Sequence, residues 1–393
     1  MDEAADLRRT VRERLATRDP ASVAERRLAR FRGCLSGGAI GDALGAPIEF
    51  LSRAQIAAAF GPAGPTDFAP AYGKLGAITD DTQMTLFTAE GLLRSYVRAA
   101  MRGIGPVPVA VTDRAYARWM ATQGERSGLG GGAGPDGWLI GHRDLHARRG
   151  PGMTCLSALR IRTETGAAAL NDSKGCGGVM RAAPVGLFGA SLRRTDVQTF
   201  VLGCDIAGLT HGHPTGQLTA GLLAVLVAAL ATARPWDEAV ARGTAQLVTA
   251  EHHDETSGLL AKALDAAQRE PFSHARLMTL GEGWVAEEAL AIGVYCAASA
   301  VLASSLDESA VRDALLLAVN HGGDSDSTGS IAGNLLGALV GDDGLPAAWR
   351  AKVELTDVID EVAEDLATVP AWAVSDYLET DECRYWWTRY PGA

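Results

Sequence analysis

Two acidic clusters stand at the starts of predicted helices in this chain of 393 residues. Residues 79–82 read Thr-Asp-Asp-Thr, and residues 324–328 read Asp-Ser-Asp-Ser-Thr. Hydroxyls and carboxylates are favoured at helix N-termini, because they cap free amide groups and face the positive end of the helix dipole. One such cluster is typical of a helix cap. Two of them in one chain suggest a shared site.

The chemistry of a shared site would be that of a divalent cation. Two carboxylates about 4 Å apart repel each other by roughly 4 kcal/mol at an effective dielectric near 20, so several together need cations. Oxygen ligands without His or Cys favour magnesium, manganese or calcium over zinc or copper. An EF-hand is excluded, since position twelve of such a loop would be Leu335 instead of Glu. Taken singly, each cluster remains open to interpretation as a cap with solvated acids.

Two glycine stripes predict how the clusters are brought together. Glycines recur every fourth residue before and within the helices concerned, at Gly33, Gly37, Gly41 and Gly45, and at Gly329, Gly333, Gly337 and Gly341. Glycine inside a helix costs roughly 0.5–1 kcal/mol relative to alanine, so the stripes indicate close backbone approach. We expect the two helices to pack tightly at the centre of the fold. Asp42 and Glu49 would then lie near both acidic clusters.

Helical periodicity dominates the chain, and convincing alternating strands are absent. The sequence therefore predicts an all-α protein. The predicted helices are 28–44, 83–98, 112–122, 216–233, 236–249, 255–267, 286–304, 308–320 and 327–340.

Four ordered motifs resemble the ADP-ribosylglycohydrolase family, which includes hydrolases of ADP-ribosylarginine and ADP-ribosylserine. The motifs are Gly-Asp-Ala-Leu-Gly-Ala-Pro-Ile-Glu at 41–49, Thr-Asp-Asp-Thr-Gln-Met at 79–84, Gly-Cys-Gly-Gly-Val-Met-Arg-Ala-Ala-Pro at 175–184 and the acidic cluster at 324. The segment 284–290 and the Trp-rich tail at 386–391 extend the match, which runs from about Arg30 to the C-terminus. The resemblance implies a compact orthogonal helical bundle with a central dinuclear metal site.

The same resemblance implies a set of site residues and a cofactor. The cofactor is two Mg²⁺ ions, with Mn²⁺ as the alternative. The implied metal ligands are Thr79, Asp80, Asp81, Asp324, Asp326 and Ser327. Asp80, Asp81 or Glu49 would accept the proton of the attacking water. The implied substrate-binding residues are Gly175, Cys176, Gly177, Gly178 and His211.

The glycine loop at 175–181 is the best phosphate-binding candidate, because side-chain-free amides can turn toward an anion. By its composition alone the loop is more typical of a structural turn, and the family resemblance favours the binding role. Arg181 is expected either to pair with a core acid or to contact the ligand. The adjacent Thr328 competes with Ser327 as the hydroxyl ligand. His321 is predicted to orient a ligand carboxylate or to cap the preceding helix.

The function implied is hydrolysis of the N-glycosidic bond between ADP-ribose and a modified protein side chain, most often arginine. A pocket rich in carboxylates would suit a cationic acceptor. The alternatives are an enzyme for serine or another acceptor, a non-catalytic ADP-ribose-binding or structural member of the family, and a magnesium-dependent phosphohydrolase. Expected partners are ADP-ribosylated proteins and ADP-ribose.

Composition and charge lead to further expectations about partners, location and domain organisation. The net charge of −11 argues against a general affinity for nucleic acid or anionic membranes. No transmembrane segment or signal peptide is recognised, and the six scattered cysteines favour a reducing cytoplasm. Residues 30–393 are predicted to form one catalytic domain. Residues 1–29 are predicted to form a charged arm that is dispensable for hydrolysis and a candidate contact for a protein partner. The glycine-rich loop 124–152 is predicted to be a mobile lid or a variable insertion.

Overall fold

The computed structural model describes residues 3–18, 20–130 and 136–392, and these ranges contain helices and two isolated β-bridges but no strand. The all-α fold class is therefore confirmed. The helices are α1 (Glu3–Arg18), α2 (Ala21–Gly45), α3 (Arg53–Phe60), α4 (Asp80–Arg102), α5 (Pro108–Thr122), α6 (Met153–Arg160), α7 (Ala183–Ser191), α8 (Asp196–Gly208), α9 (Pro214–Ala231), α10 (Trp236–Leu247), α11 (Asp254–Arg269), α12 (His274–Leu277), α13 (Ala286–Val301), α14 (Glu308–Val319), α15 (Ser325–Val340), α16 (Ala347–Arg350), α17 (Thr356–Thr368) and α18 (Asp381–Arg389).

Helices α2 and α15 lie antiparallel and touch through their glycine stripes. A methyl group added at Gly37 would meet the carbonyl oxygen of Gly333, and one added at Gly41 would meet that of Gly329, both far inside van der Waals contact. The Nδ2 atom of Asn334 donates to the carbonyl oxygen of Cys34 across the interface at 2.8 Å. The predicted close approach is confirmed. It places the C-terminal end of α2 against the N-terminal end of α15.

Helix α9 is an apolar helix that is buried among other helices. By length and composition its 18 residues are apolar enough to cross a membrane, with a mean hydropathy of 1.6, although no such segment was expected from the sequence. In the folded chain 83% of this helix is buried, and it packs against α7, α8 and α10. Burial on all sides explains why its sequence lacks a polar face.

In the structure, residues 3–18 and 20–29 pack onto the rest of the described chain. Helix α2 runs from Ala21 to Gly45, so a boundary between residues 29 and 30 divides a continuous helix. Helix α1 buries Val11 and Leu15. Its charged side chains face acids near the C-terminus: Arg8 pairs with Asp365 at 3.1 Å, and Arg14 pairs with Glu382. The high charge of this segment thus serves contacts within the fold.

Removal of α1 is expected to lower stability without stopping catalysis. Deleting residues 1–18 exposes the surface under Val11 and Leu15 and takes Arg8 from the buried Asp365, and breaking a buried pair costs about 3 kcal/mol or more. The helix contributes no residue to the cavity described below. Urea unfolding should show the loss, while turnover of a small substrate at a temperature where both proteins are folded should be unchanged. A collapse of turnover in the folded truncated protein would contradict this.

Candidate active site and metal centre

The acidic N-terminal ends of α4 and α15 open into one cavity of about 320 Å³. Glu49 reaches it from the turn after α2, and Gly150 and Gly152 reach it from the loop before α6. The predicted site residues that line the cavity are Glu49, Asp80, Asp81, Gly175, Cys176, Gly177, His211, Asp324, Asp326 and Ser327. Thr79 and Gly178 do not line it. The structure thus brings together most of the proposed residues from five separate segments of the chain.

The first cluster is held in place by Asp42, which lies one turn from the end of α2. Both of its carboxylate oxygens accept the backbone N–H of Thr79 at 3.0 Å, and one also accepts the N–H of Thr82 at 3.1 Å. Thr79 caps α4 by accepting the N–H of Asp81. Asp42 is therefore a positioning residue, since its oxygens are already engaged. Thr79 acts in the structure as a cap behind the two aspartates.

The second cluster lies beside Glu49, which shares the cavity with Asp80 and Asp81 of the first cluster. One oxygen atom from each of Glu49, Asp324 and Asp326 lies within 4.8 Å of the other two. Ser327 faces the cavity, whereas the Thr328 hydroxyl points away and donates to main-chain oxygens, including that of Asp324 at 2.8 Å. The placement therefore favours Ser327 as the hydroxyl of the site. His321 bonds the Thr328 hydroxyl at 2.8 Å, so it supports the helix start and not a ligand carboxylate.

The cluster carries more negative charge than its surroundings compensate. Within the described ranges none of its carboxylates forms an ion pair, because nearby Arg149 is engaged by Glu354. Burial, and then the charges of Asp326 and Asp324, raises the pKa of Glu49 to about 11. Burial first, and then the charge of Asp326, holds the pKa values of Asp80, Asp81 and Asp324 well above their usual range.

Two oxygen atoms of the cluster have no hydrogen-bond partner although they are buried. They are Oδ1 of Asp81 and Oε2 of Glu49. A buried acceptor without a partner costs roughly 1–3 kcal/mol, and more when it is charged, so a bound cation would stabilise this arrangement. Hard oxygen donors of this kind fit Mg²⁺ or Mn²⁺.

The raised pKa values predict how metal-free protein responds to pH. A carboxyl group with a raised folded-state pKa contributes stability that is lost as the pH rises through that value, which is about 7 for Asp42 and about 11 for Glu49. Burial lowers the pKa of His211 to about 3 and that of His321 to about 4, so the histidines add stability with rising pH only up to about 6.5. Between pH 6.5 and about 8, below the range in which the buried cysteines with raised pKa values contribute, the carboxylates decide. We expect the Tm of EDTA-treated protein to fall over that interval and Mg²⁺ to remove most of the fall. A flat or rising Tm in calorimetry would contradict this.

The glycine loop forms one wall of the cavity with its amides partly engaged. The N–H of Gly175 donates to the Ser173 hydroxyl, and the N–H of Cys176 donates to the carbonyl oxygen of Trp284, both at 3.3 Å. Gly178 packs on Ala207 of α8, away from the cavity. These contacts weaken the expectation that the whole loop presents free amides to a phosphate. The thiol of Cys176 faces the acids, with Sγ 2.7 Å from Oδ2 of Asp324.

His211 is a buried neutral side chain at the cavity wall. Arg181 donates through Nη2 to the Thr210 hydroxyl, and that hydroxyl lies 2.8 Å from Nδ1 of His211. The contact with Nδ1 is shorter than the other acceptor of this hydroxyl, the carbonyl oxygen of Ala207 at 3.4 Å, which favours donation to Nδ1 and the tautomer with its proton on Nε2. Nε2 lies toward Gly175 and Gly177. His211 therefore presents a hydrogen-bond donor at the glycine loop.

Arg181 differs from both sequence expectations. It is fully buried, donates to the Tyr116 hydroxyl at 2.9 Å and lies over the Tyr116 ring at 4.6 Å. Its other acceptors are neutral, namely Cys155, the carbonyl oxygen of Gly177 and Thr210. Among described residues no acid pairs with it. Its role is to tie the glycine loop to the helix core.

Several residues at the cavity were not predicted. Gly150 and Gly152 come from the end of loop 124–152, and the N–H of Gly152 donates to Oδ2 of Asp80 at 3.1 Å. Residues 131–135 of that loop lie outside the described ranges, so the alternative between lid and insertion stays a prediction. Phe50 and Trp284 also line the cavity. Of these residues, only Trp284 could have been found from the sequence, because it lies within the segment 284–290 that extends the family match.

Comparison with known proteins gives consistent results. A family model described as ADP-ribosylglycohydrolase matches residues 23–374. An ADP-ribosyl-[dinitrogen reductase] glycohydrolase of Rhodospirillum rubrum is 26% identical over 339 residues, covering 85% of this chain and 92% of the relative. The ADP-ribosylarginine hydrolase Tri1 of Serratia proteamaculans is 26% identical over 86% of this chain and 79% of its own length. The ADP-ribosylhydrolase ARH3 of Bos taurus is 26% identical over 88% of this chain and 94% of its own length.

The fold also has a solved counterpart. The structure of an "ADP-ribosylglycohydrolase-related protein complex" superposes with a TM-score of 0.60 at 22% identity, over 87% of this chain and 98% of the other. This likeness supports the helical architecture described above.

Proposed function

Since the chain belongs to the ADP-ribosylglycohydrolase family, we propose that it is a metal-dependent hydrolase that releases ADP-ribose from arginine side chains of modified proteins. The observation that carries the proposal is the uncompensated carboxylate cluster at one end of the cavity. The acceptor rests on two further points. A relative of this chain is named as an ADP-ribosylarginine hydrolase, and a wall of carboxylates suits a cationic acceptor.

The proposed cofactor is two Mg²⁺ ions, with Mn²⁺ as the alternative. Such ions supply Lewis-acid stabilisation of charge on oxygen. The residues proposed to hold them are Asp80, Asp81, Asp324, Asp326, Ser327 and Glu49, with Thr79 either a further ligand or, as its position suggests, a cap.

The proposed reaction uses the cavity residues in three roles. A bound cation would lower the raised pKa values of Asp81 and Glu49, and each carboxylate would then be able to accept the proton of the attacking water. The carboxylates also favour the positive charge that develops on the ribose as the glycosidic bond breaks. The electrons of that bond leave with the guanidine, the water oxygen bonds the ribose carbon, and the accepted proton returns to the guanidine. His211 donates from Nε2 to an oxygen of ADP-ribose beside the glycine loop.

Location and partners follow the same proposal. All six cysteines are free thiols, which supports a reducing cytoplasm. The substrate is an ADP-ribosylated protein. The outward face of α1 is the surface proposed for contact with a protein partner.

Matched single-turnover assays test the function. We expect ADP-ribose to be released faster from an ADP-ribosyl-arginine peptide than from an ADP-ribosyl-serine peptide at equal Mg²⁺, because a guanidine departs without needing an acid. Faster release from serine would overturn the acceptor and leave the hydrolase intact. Release of AMP would indicate a phosphohydrolase, and no release from either peptide would favour a binding protein.

A further inference from the structure

Two large aromatic side chains stand exposed at the edge of the cavity. Phe50 is 69% exposed and Trp284 is 40% exposed, and both line the cavity beside the acidic cluster. Their rings are stacked, with centroids 6.0 Å apart and planes 19° from parallel. Exposed aromatic area carries a cost of about 25 cal/mol per Å² of surface, so an ordered exposed pair beside a polar cavity is typical of a binding surface.

Both aromatic residues are linked through the main chain to residues of the acidic cluster. Phe50 directly follows Glu49 in the chain. The carbonyl oxygen of Trp284 accepts the N–H of Cys176. The carbonyl oxygen of Glu282, two residues earlier, accepts the N–H of Asp324 at 2.8 Å. The position of the rings relative to the carboxylates is thus fixed by main-chain contacts. A group bound on the rings would lie beside the bond to be cleaved.

Aromatic faces next to carboxylates recognise flat delocalised cations. A guanidinium stacks on aromatic rings and is more weakly hydrated than an ammonium, whereas a serine linkage offers no charge to the rings. We infer that Phe50 and Trp284 form a platform for the guanidinium of an ADP-ribosylated arginine, and that this platform selects arginine over neutral acceptors. The inference rests on the proposed function and adds the residues that set its specificity.

Leucine substitutions isolate the contribution of the rings. Phe50→Leu and Trp284→Leu keep an apolar side chain and remove the aromatic face. We expect the ratio of kcat/KM for the arginine peptide to that for the serine peptide to fall by about 3- to 30-fold, mostly through KM for arginine. Phe50→Tyr and Trp284→Phe retain a ring and should keep most of the ratio. Tyr377→Leu changes an aromatic side chain that is 89% exposed and does not line the cavity, so it should leave the ratio unchanged.

Binding of free ADP-ribose, measured by isothermal titration calorimetry, separates the platform from a site for ADP-ribose itself. Unchanged ADP-ribose affinity with a reduced ratio supports the inference. An unchanged ratio in both leucine variants overturns it, as does an equal loss on both peptides together with weaker ADP-ribose binding. If the unaltered protein cleaves neither peptide, the proposed function fails. The platform is then judged by whether the leucine variants bind the intact arginine peptide more weakly, and equal binding overturns it.

Discussion

The double variant Asp324→Asn, Asp326→Asn is expected to lose turnover by several orders of magnitude and to keep its helical fold. These two carboxylates and Glu49 converge within 4.8 Å, so their neutral amides would leave a bound cation without charged ligands at the start of α15. The same change removes two buried acids, and their mutual repulsion is one cause of the raised pKa of Asp324. The metal-free variant should therefore unfold at a higher urea concentration than metal-free unaltered protein.

Calorimetric titration with Mn²⁺, circular dichroism and turnover test this expectation together. A matched control is Asp254→Asn with Asp381→Asn, which makes the same change in net charge at side chains that are both 97% exposed. The control should bind metal and turn over normally. Activity of the Asp324 and Asp326 variant in metal-free buffer would refute the metal centre, and an unfolded variant would refute the claim that these acids destabilise the apoprotein.

A second large effect is expected from one methyl group in the α2–α15 interface. The variant Gly41→Ala places a Cβ against the carbonyl group of Gly329, where the opposing atoms are main chain and cannot rotate away. Such overpacking should cost about 3 kcal/mol or more of unfolding free energy. It should also weaken metal binding, since any separation of the helices moves Glu49 from Asp326.

Gly258→Ala is the matched control for that substitution. Gly258 lies inside α11, and an added Cβ there meets no atom within 4 Å. By helix propensity alone this change should stabilise the protein by up to about 1 kcal/mol. Urea unfolding of the two variants checks the contrast. Equal stabilisation by both would mean that the helices are not in main-chain contact.

The sequence predicted the centre of the site well, because its signals are local and strict. A glycine at every fourth position has few interpretations other than close helix packing, and paired acids at helix starts have few uses other than capping and cation binding. Both patterns can be recognised in the sequence without knowing which helices lie next to one another. The nine predicted helices likewise match observed helices, with ends displaced by up to seven residues at Leu28.

The rest of the site depended on contacts that no local pattern encodes. Asp42 was noted in the sequence beside the first glycine stripe. Its hydrogen bond to the N–H of Thr79 could not be predicted, because it requires the start of α4 to lie against α2. The choice between Ser327 and Thr328 depends on which side of α15 meets the cavity. Helix α7 was missed because its nine residues are apolar on every side and show no period. The charged α1 was expected outside the core because the acids that pair with it lie more than 340 residues away.

The main-chain contact between α2 and α15 also limits how this enzyme can move. Helices packed through side chains can slide past one another as rotamers change, which is how many enzymes open and close. At its glycine positions the interface has no side chains to rearrange, so the two helices move as one rigid piece. Entry of substrate and exit of product then fall to the loops around the cavity, which carry Glu49, Gly150 and Trp284.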